Sequence, residues 1–393
     1  MVLSNWVNHH TLRSLAGVTA ALFAFTLASL PSGAANAVSS TYPNKNCTIP
    51  DNDYYDFYDD CAAYTNWGKY IPDGAISSGP WFVDLPTALG DTVSALSYNG
   101  KTYIQGIAHG TEMSFNFHEG TGDCDNPTEP GAWNDDLNNR WGVDWSQYPW
   151  LGPSTTEILN PPSYPSAASV TTKTRLAEWL ANGQKDSYCP NGAKYPNASP
   201  YTSQLSPYVL SKTVTVGPLA ELSSLPNVMR IDGDLTVEST PGATPVDSVF
   251  ITFLRCNFTS WYRLPAGKTE WDSGLGPGNS ATDAHLASAQ ESTSGQNVDV
   301  LVAATSDGSQ AFALYSPKAL NTADPTNEQE YQYLQDSPAG CGYGKQLSDQ
   351  ITFPSASSAK RNAGNYRYRV YVAVGTLEQV KSAVLAMRND SAL

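Results

Sequence analysis

Hydrophobic and polar residues alternate singly along much of this chain, the period of a half-buried strand, and the spacing turns helical only near the C-terminus. Residues 208–216, 228–237 and 249–254 read as strands rich in Val, Ile, Leu and Phe. Residues 170–180 alternate as well and stop at Asn182-Gly183, and Asn99-Gly100 reads as a tight hairpin turn. A second hairpin joins 298–304 to 311–315 across Ser306-Asp307-Gly308, and 366–375 alternates with arginines on one face. From 376 to 388 the apolar positions become Leu377, Val380, Val384 and Met387, with Thr376 at the capping position and Glu378 and Gln379 in the first turn. The pattern predicts an all-β fold, a large antiparallel β-sandwich closed by a short C-terminal helix.

The stretch from Tyr103 to Gly131 concentrates chemistry. Its first part alternates, with Ile104, Gly106, Ala108, Gly110, Glu112, Ser114 and Asn116 on one face. Gln105, Ile107, His109, Thr111, Met113, Phe115 and Phe117 take the other. The first face, an acid among small residues, reads as an open binding surface. His109 and Glu112 point oppositely on a flat strand, and only a bulge, which Gly106 and Gly110 permit, would bring both to one pocket. The following turn, 123–131, is stiffened by Pro127 and Pro130 and holds Asp123, Asp125, Asn126 and Glu129. Residues 133–150 then carry Trp133, Trp141, Trp145 and Trp150, interleaved with Asp135, Asp136, Arg140 and Asp144. Aromatic faces beside acids and amides suit a sugar, whose C–H faces pack on rings while its hydroxyls seek polar groups. The same tryptophans can equally serve as satellite core beneath a long loop.

Arg13, an apolar run over 15–30 and Ala35-Asn36-Ala37 together read as a secretory leader, which predicts an extracellular protein. Three regions are expected: the leader at 1–37, a disulfide-tied arm at 38–78, and a single β domain at 79–393. The mature length of about 355 residues exceeds the common domain size, yet no low-complexity linker divides it. Cys47, Cys61, Cys124, Cys189, Cys256 and Cys341 all follow the leader, an even number in an oxidising compartment. Chain order offers Cys47–Cys61, Cys124–Cys189 and Cys256–Cys341 among about 15 pairings.

Charge narrows the partners. The chain carries −15, and losing Arg13 with the leader makes it −16, which argues against nucleic acid or an anionic membrane. A neutral poly- or oligosaccharide fits better. No cofactor is expected; calcium on Asp123 and Asp125, with Asn126 and Glu129 nearby, is the alternative. No Gly-x-Ser-x-Gly, P-loop or dinucleotide fingerprint is present.

Several motifs, in order, resemble exported proteins of the galactose-mutarotase-like β-supersandwich group. They are His109-Gly110-x-Glu112, Asn126-Pro127-Thr128-Glu129-x-Gly131, the strand from Ser211 to Gly217, the hairpin from Asp307-Gly308 to Tyr315-Ser316-Pro317, and Tyr371 to Glu378 before the helix. Thr111 stands where similar proteins often carry arginine. The resemblance implies a supersandwich and a sugar-handling role, among mutarotases, epimerases, glycosidase accessory domains and polysaccharide lyases.

The expected function is cleavage of a glycosidic bond, which needs one carboxyl as acid and another as base or nucleophile. Glu112 and Glu129 are the candidates, with Glu119 or Asp125 as substitutes and His109 tuning or carrying the proton. Trp133, Trp141, Trp145, Arg140, Asn126 and His118 are candidate substrate contacts. A lyase is the first alternative, with His109 or a tyrosine as base and Arg140, Arg367 or Arg369 facing a uronate. A sugar-binding protein without catalysis is the second.

Overall fold

The alternating segments become strands that pair antiparallel wherever they meet. A computed structural model describes residues 74–85, 90–105, 113–118, 120–121, 124–125, 128–129, 156–178, 205–238, 247–255, 257–272, 299–316, 329–336, 345–352, 363–390 and 393. All of them belong to the unit Ala37–Leu393. The leader, residues 38–73 of the arm expected at 38–78, and Cys47, Cys61, Cys189, Cys256 and Cys341 lie outside the described residues, while the arm's last three residues, Ile76–Ser78, form a strand.

In chain order the elements are β1 (Ile76–Ser78), β2 (Trp81–Asp84), β3 (Ala95–Tyr98), β4 (Lys101–Gln105), β5 (Met113–His118), β6 (Gly120–Thr121), β7 (Cys124–Asp125), β8 (Thr128–Glu129), β9 (Glu157–Ser166) and β10 (Ser169–Glu178). There follow β11 (Leu205–Thr215), β12 (Val228–Val237), β13 (Asp247–Phe253), β14 (Phe258–Leu264), β15 (Val300–Thr305), β16 (Ala311–Tyr315), β17 (Gln329–Asp336), β18 (Lys345–Thr352), β19 (Gly364–Gly375) and the helix α1 (Leu377–Asn389).

Strands β1 to β4 form a meander of their own. Its β3–β4 turn holds Asn99 at φ 50° and Gly100 at φ 72°, both left-handed, as the Asn-Gly pair predicts. A 13-stranded sheet runs β14-β15-β16-β19-β12-β11-β10-β8-β5-β13-β18-β17, with β9 added beside β10, and β6 pairs with β7. The stretch read as one alternation from Tyr103 is thus two strands in two sheets, β4 paired to β3 and β5 paired to β13.

The long sheet doubles back on itself. Phe115 and Phe117 of β5 pack on Tyr368 of β19, with ring centroids 5.9 and 5.6 Å apart, and Phe117 reaches Tyr208 of β11 at 6.3 Å. The β1–β4 meander joins the same core through Trp81, Val83, Leu96 and Tyr103. It is also pinned by polar contacts: Trp81 Nε1 donates to the Pro226 carbonyl at 2.9 Å, and Gln310 Nε2 donates to that of Thr102 at 3.0 Å. Such two-layer packing over alternating inward residues is that of a β-sandwich.

The other face of β14, β15, β16 and β19 is apolar too, because α1 covers it. Val380, Ala383, Val384 and Met387 of the helix bury against Val302, Ala304, Ala313 and Ala373. The helix begins in a capping box in which Gln379 N–H donates to Thr376 Oγ1 and Thr376 N–H to Gln379 Oε1. It is short, and among the described residues no helix is long and apolar enough to cross a membrane.

Among the described residues strand β9 pairs only with β10. Its register on β10 shifts three times, and Pro161, Pro162 and Pro165 interrupt it.

Candidate functional site

Alternation on β5 sends Met113, Phe115 and Phe117 into the core, each fully buried, and Ser114 and Asn116 to the opposite side. That side was expected to be open. Instead Ser114 and Asn116 are each 4% exposed, and Ser114 Oγ donates to Asn116 Oδ1 at 2.8 Å. Two small polar groups that satisfy one another can be buried at little cost.

The segment after β5 was expected to be a rigid turn. Part of it is strand: β8 is built into the long sheet between β5 and β10. Thr128 stands opposite Phe117 on one side and Glu178 on the other, and Glu129 stands opposite Ala177. One step along the antiparallel register brings Glu129 level with Asn116. At the end of β5, His118 is in register with Asp247 of β13. Backbone pairing thus brings Glu129, Asn116, His118 and Asp247 to neighbouring positions on three adjacent strands. Asp247 was not a candidate, since nothing in the local sequence joins it to His118; only strand pairing does.

Asp125 lies in β7, opposite Gly120. His109, Glu112, Glu119, Asp123, Asn126, Trp133, Arg140, Trp141 and Trp145 lie outside the described residues. The question of a common pocket for His109 and Glu112 falls there too.

A second polar constellation was not foreseen. On β12, Met229, Ile231, Leu235 and Val237 face the core, so Arg230, Asp232, Asp234 and Thr236 face outward. Across from them on β19 are Tyr371, Arg369, Arg367 and Asn365. The expectation of arginines on one face of this strand holds. Arg230 Nε donates to Asp232 Oδ2 at 2.7 Å, and Arg369 Nε donates to Asp232 Oδ1 at 2.6 Å. Arg230 also bonds Glu221 through Nη1, and the Tyr371 hydroxyl donates to the same Glu221 oxygen at 3.2 Å. Arg367 Nε lies 3.3 Å from Asp234.

Burial pushes the Glu221 carboxyl up, but its own backbone N–H, the Arg230 guanidinium and the Tyr371 phenol together hold it below the usual value. Burial, with Glu221 beside it, lifts the Tyr371 phenol to about 12. This tyrosine keeps its proton near neutrality and is a poor base. Arg367 and Arg369, named for a lyase, each already serve an aspartate.

No family model matches the chain, and none of the curated proteins matches it. Among solved structures, it is similar to an alpha-N-acetylgalactosaminidase from Bifidobacterium bifidum in complex with GalNAc, at 10% identity and a TM-score of 0.35 over 77% of this chain and 36% of that one. An alpha-galactosidase from Lactobacillus brevis matches at 5% identity and TM-score 0.33, over 78% and 39% of the two chains. A Klebsiella pneumoniae protein assigned as an aldose 1-epimerase matches at 10% identity and TM-score 0.32, over 80% and 83%. The chain spans little more than a third of the length of the first two.

Proposed function

We propose that this is an exported carbohydrate-active enzyme that cleaves a glycosidic bond in a neutral poly- or oligosaccharide. The observation that carries the reading is the register of β8. Glu129 belongs to a strand hydrogen-bonded on both sides, level with Asn116 and next to the His118–Asp247 pair. A backbone paired on both sides fixes the point from which an acid–base residue reaches substrate, which acid–base chemistry demands.

In this reading Glu129 and Glu112 are the two carboxyl groups, one delivering a proton to the leaving oxygen and the other acting as base or nucleophile. His109 tunes or relays the proton. Trp133, Trp141 and Trp145 offer ring faces to the sugar, and Arg140, Asn126 and His118 offer hydrogen bonds. In the lyase alternative His109 or a tyrosine is the base and Arg140, Arg367 or Arg369 faces the uronate; Arg367 and Arg369 already lie beside aspartates.

The test is a product screen of the mature chain on neutral and acidic polysaccharides, recording reducing ends and unsaturated uronates. New reducing ends without unsaturation, lost in folded Glu112→Gln and Glu129→Gln variants, support the hydrolase. Unsaturated products make it a lyase. Binding without any product makes it a sugar-binding protein and overturns catalysis.

A further inference from the structure

The outward face of the long sheet, away from the sandwich core and beyond the cover of α1, carries rows of hydroxyl and charged side chains. Four strands line up their outward residues in register. Thr213 of β11 stands between Asp232 of β12 and Thr171 of β10, and Asp232 in turn stands beside Arg369 of β19. In the next row Arg367, Asp234, Ser211 and Lys173 follow one another across the same strands. Hydroxyls on neighbouring strands bond each other: Thr171 to Thr213 at 2.8 Å and Ser169 to Thr215 at 3.0 Å.

Two properties decide what this face can hold. The first is charge. Among the described residues of this face Lys173, Arg175, Arg230, Arg367 and Arg369 are matched in number by Glu157, Glu221, Asp232, Asp234 and Glu238, on a chain that carries −15. Charges matched in this way give a polyanion no net attraction, and a polycation none either.

The second property is fixation. Asp232 is held by two guanidinium Nε atoms, and Arg175 makes a two-pronged bond to Glu238 at 2.6 and 3.1 Å. Among the described residues the terminal nitrogens of Arg369 make no hydrogen bond, so this arginine is oriented by one edge and offers the other. Each paired hydroxyl also keeps an unused acceptor site. The result is a fixed array in which donors and acceptors alternate, spanning about 14 Å across four strands at the usual spacing.

We infer that this face is a binding platform for a neutral polyhydroxylated chain, a polysaccharide lying across strands β10, β11, β12 and β19. Sugar hydroxyls both donate and accept, so an array of fixed hydroxyls with cations and anions matched in number complements them. This rests on the carbohydrate reading above for the class of ligand, and its role is to hold polymer, distinct from the chemistry given to Glu129.

The experiment is a depletion isotherm on insoluble neutral polysaccharides (a β-glucan, a mannan and a starch) with polygalacturonate as the acidic comparison. It uses the full mature chain, with released products measured in the same tubes. Wild type should bind at least one neutral polymer. The Asp234→Ala/Arg367→Ala variant and the near-isosteric Thr171→Val/Thr213→Val variant should each bind at least tenfold more weakly, with unfolding midpoints within a few degrees of wild type. Equal binding by either folded variant overturns the platform. So does binding to polygalacturonate alone, or to no polymer. Products released in those last cases leave the catalytic reading standing, whereas variant-sensitive binding without products keeps the platform and removes the catalysis.

Discussion

Gly233 of β12 lies directly beneath the ring of Phe115, and a Cβ on that glycine would sit 3.0 Å from Phe115 Cε2. The two layers of the sandwich approach closely there, and an added methyl requires the Phe115 ring to shift by a few tenths of an ångström. Gly233→Ala should destabilise the protein by about 1–3 kcal/mol, read from urea unfolding. In a Phe115→Leu background the alanine should cost measurably less, since the shorter side chain can give way. Additive effects would show that the contact is not what makes glycine necessary.

Glu221 provides a pH-dependent contribution. Its folded carboxyl lies below the ordinary value, so the stability it confers is fully present above about pH 4.3 and is lost as pH falls through the lower folded value. Glu221→Gln should flatten that part of the acid limb in a plot of unfolding free energy against pH. Tyr371→Phe, which removes the phenol's bond to the same oxygen, should cost about 1 kcal/mol at neutral pH.

Asp307 makes the same kind of contribution in a turn. The Thr305 hydroxyl at 2.6 Å and the Ser309 N–H at 3.0 Å hold its carboxyl down to about 2. Because the folded value lies below the unfolded one near 3.9, its stabilisation is intact above about pH 4 and disappears toward pH 2. Asp307→Asn should lower the thermal midpoint at pH 6, and the difference from wild type should close on acidification.

Arg388 fastens the helix to the sheet. The residue is 8% exposed, and its guanidinium donates to the carbonyl of Pro265 at 3.1 Å and to that of Leu264. Arg388→Met fills similar volume but leaves those buried carbonyls without the donor. A loss of about 1–3 kcal/mol is expected in urea unfolding. Hydrogen exchange in residues 377–389 should quicken more than in residues 228–237.

On the functional side, Glu129→Gln should lower turnover on the polymer found by the product screen by about 100-fold or more, with little change in unfolding midpoint. A variant that cuts as fast as wild type would remove Glu129 from the chemistry.

Strand β12 shows what was legible in the sequence. Its bounds, 228–237, are those read from its β-branched and apolar residues, most of which alternate, because each residue chooses one of two faces and one face is core. The helix was equally plain, since its cap and its apolar spacing are local. Strand β9 was not, because prolines break its pattern and it owes its extended form to lying beside β10. Strands β17 and β18 are rich in Gln, Tyr and Asp with little apolar alternation, and pairing rather than pattern makes them strands. The site follows the same division. Crowding of acids around Glu129 is visible along the chain, but its neighbour Ala177 and the partnering of His118 with Asp247 come from distant segments. The Asp232–Arg369 and Glu221–Arg230 contacts depend in the same way on which strand or loop lies beside which.

The irregular margin formed by β9 bears on how copies of the molecule behave together. A straight strand at a sheet's rim offers free amide and carbonyl groups on which a neighbour's strand can zip, the usual first step toward fibrils. Pro161, Pro162 and Pro165 have no amide hydrogen to give, and the shifting register leaves no even ladder to copy. A rim interrupted in this way is a poor template for a second copy's strand, whatever the concentration.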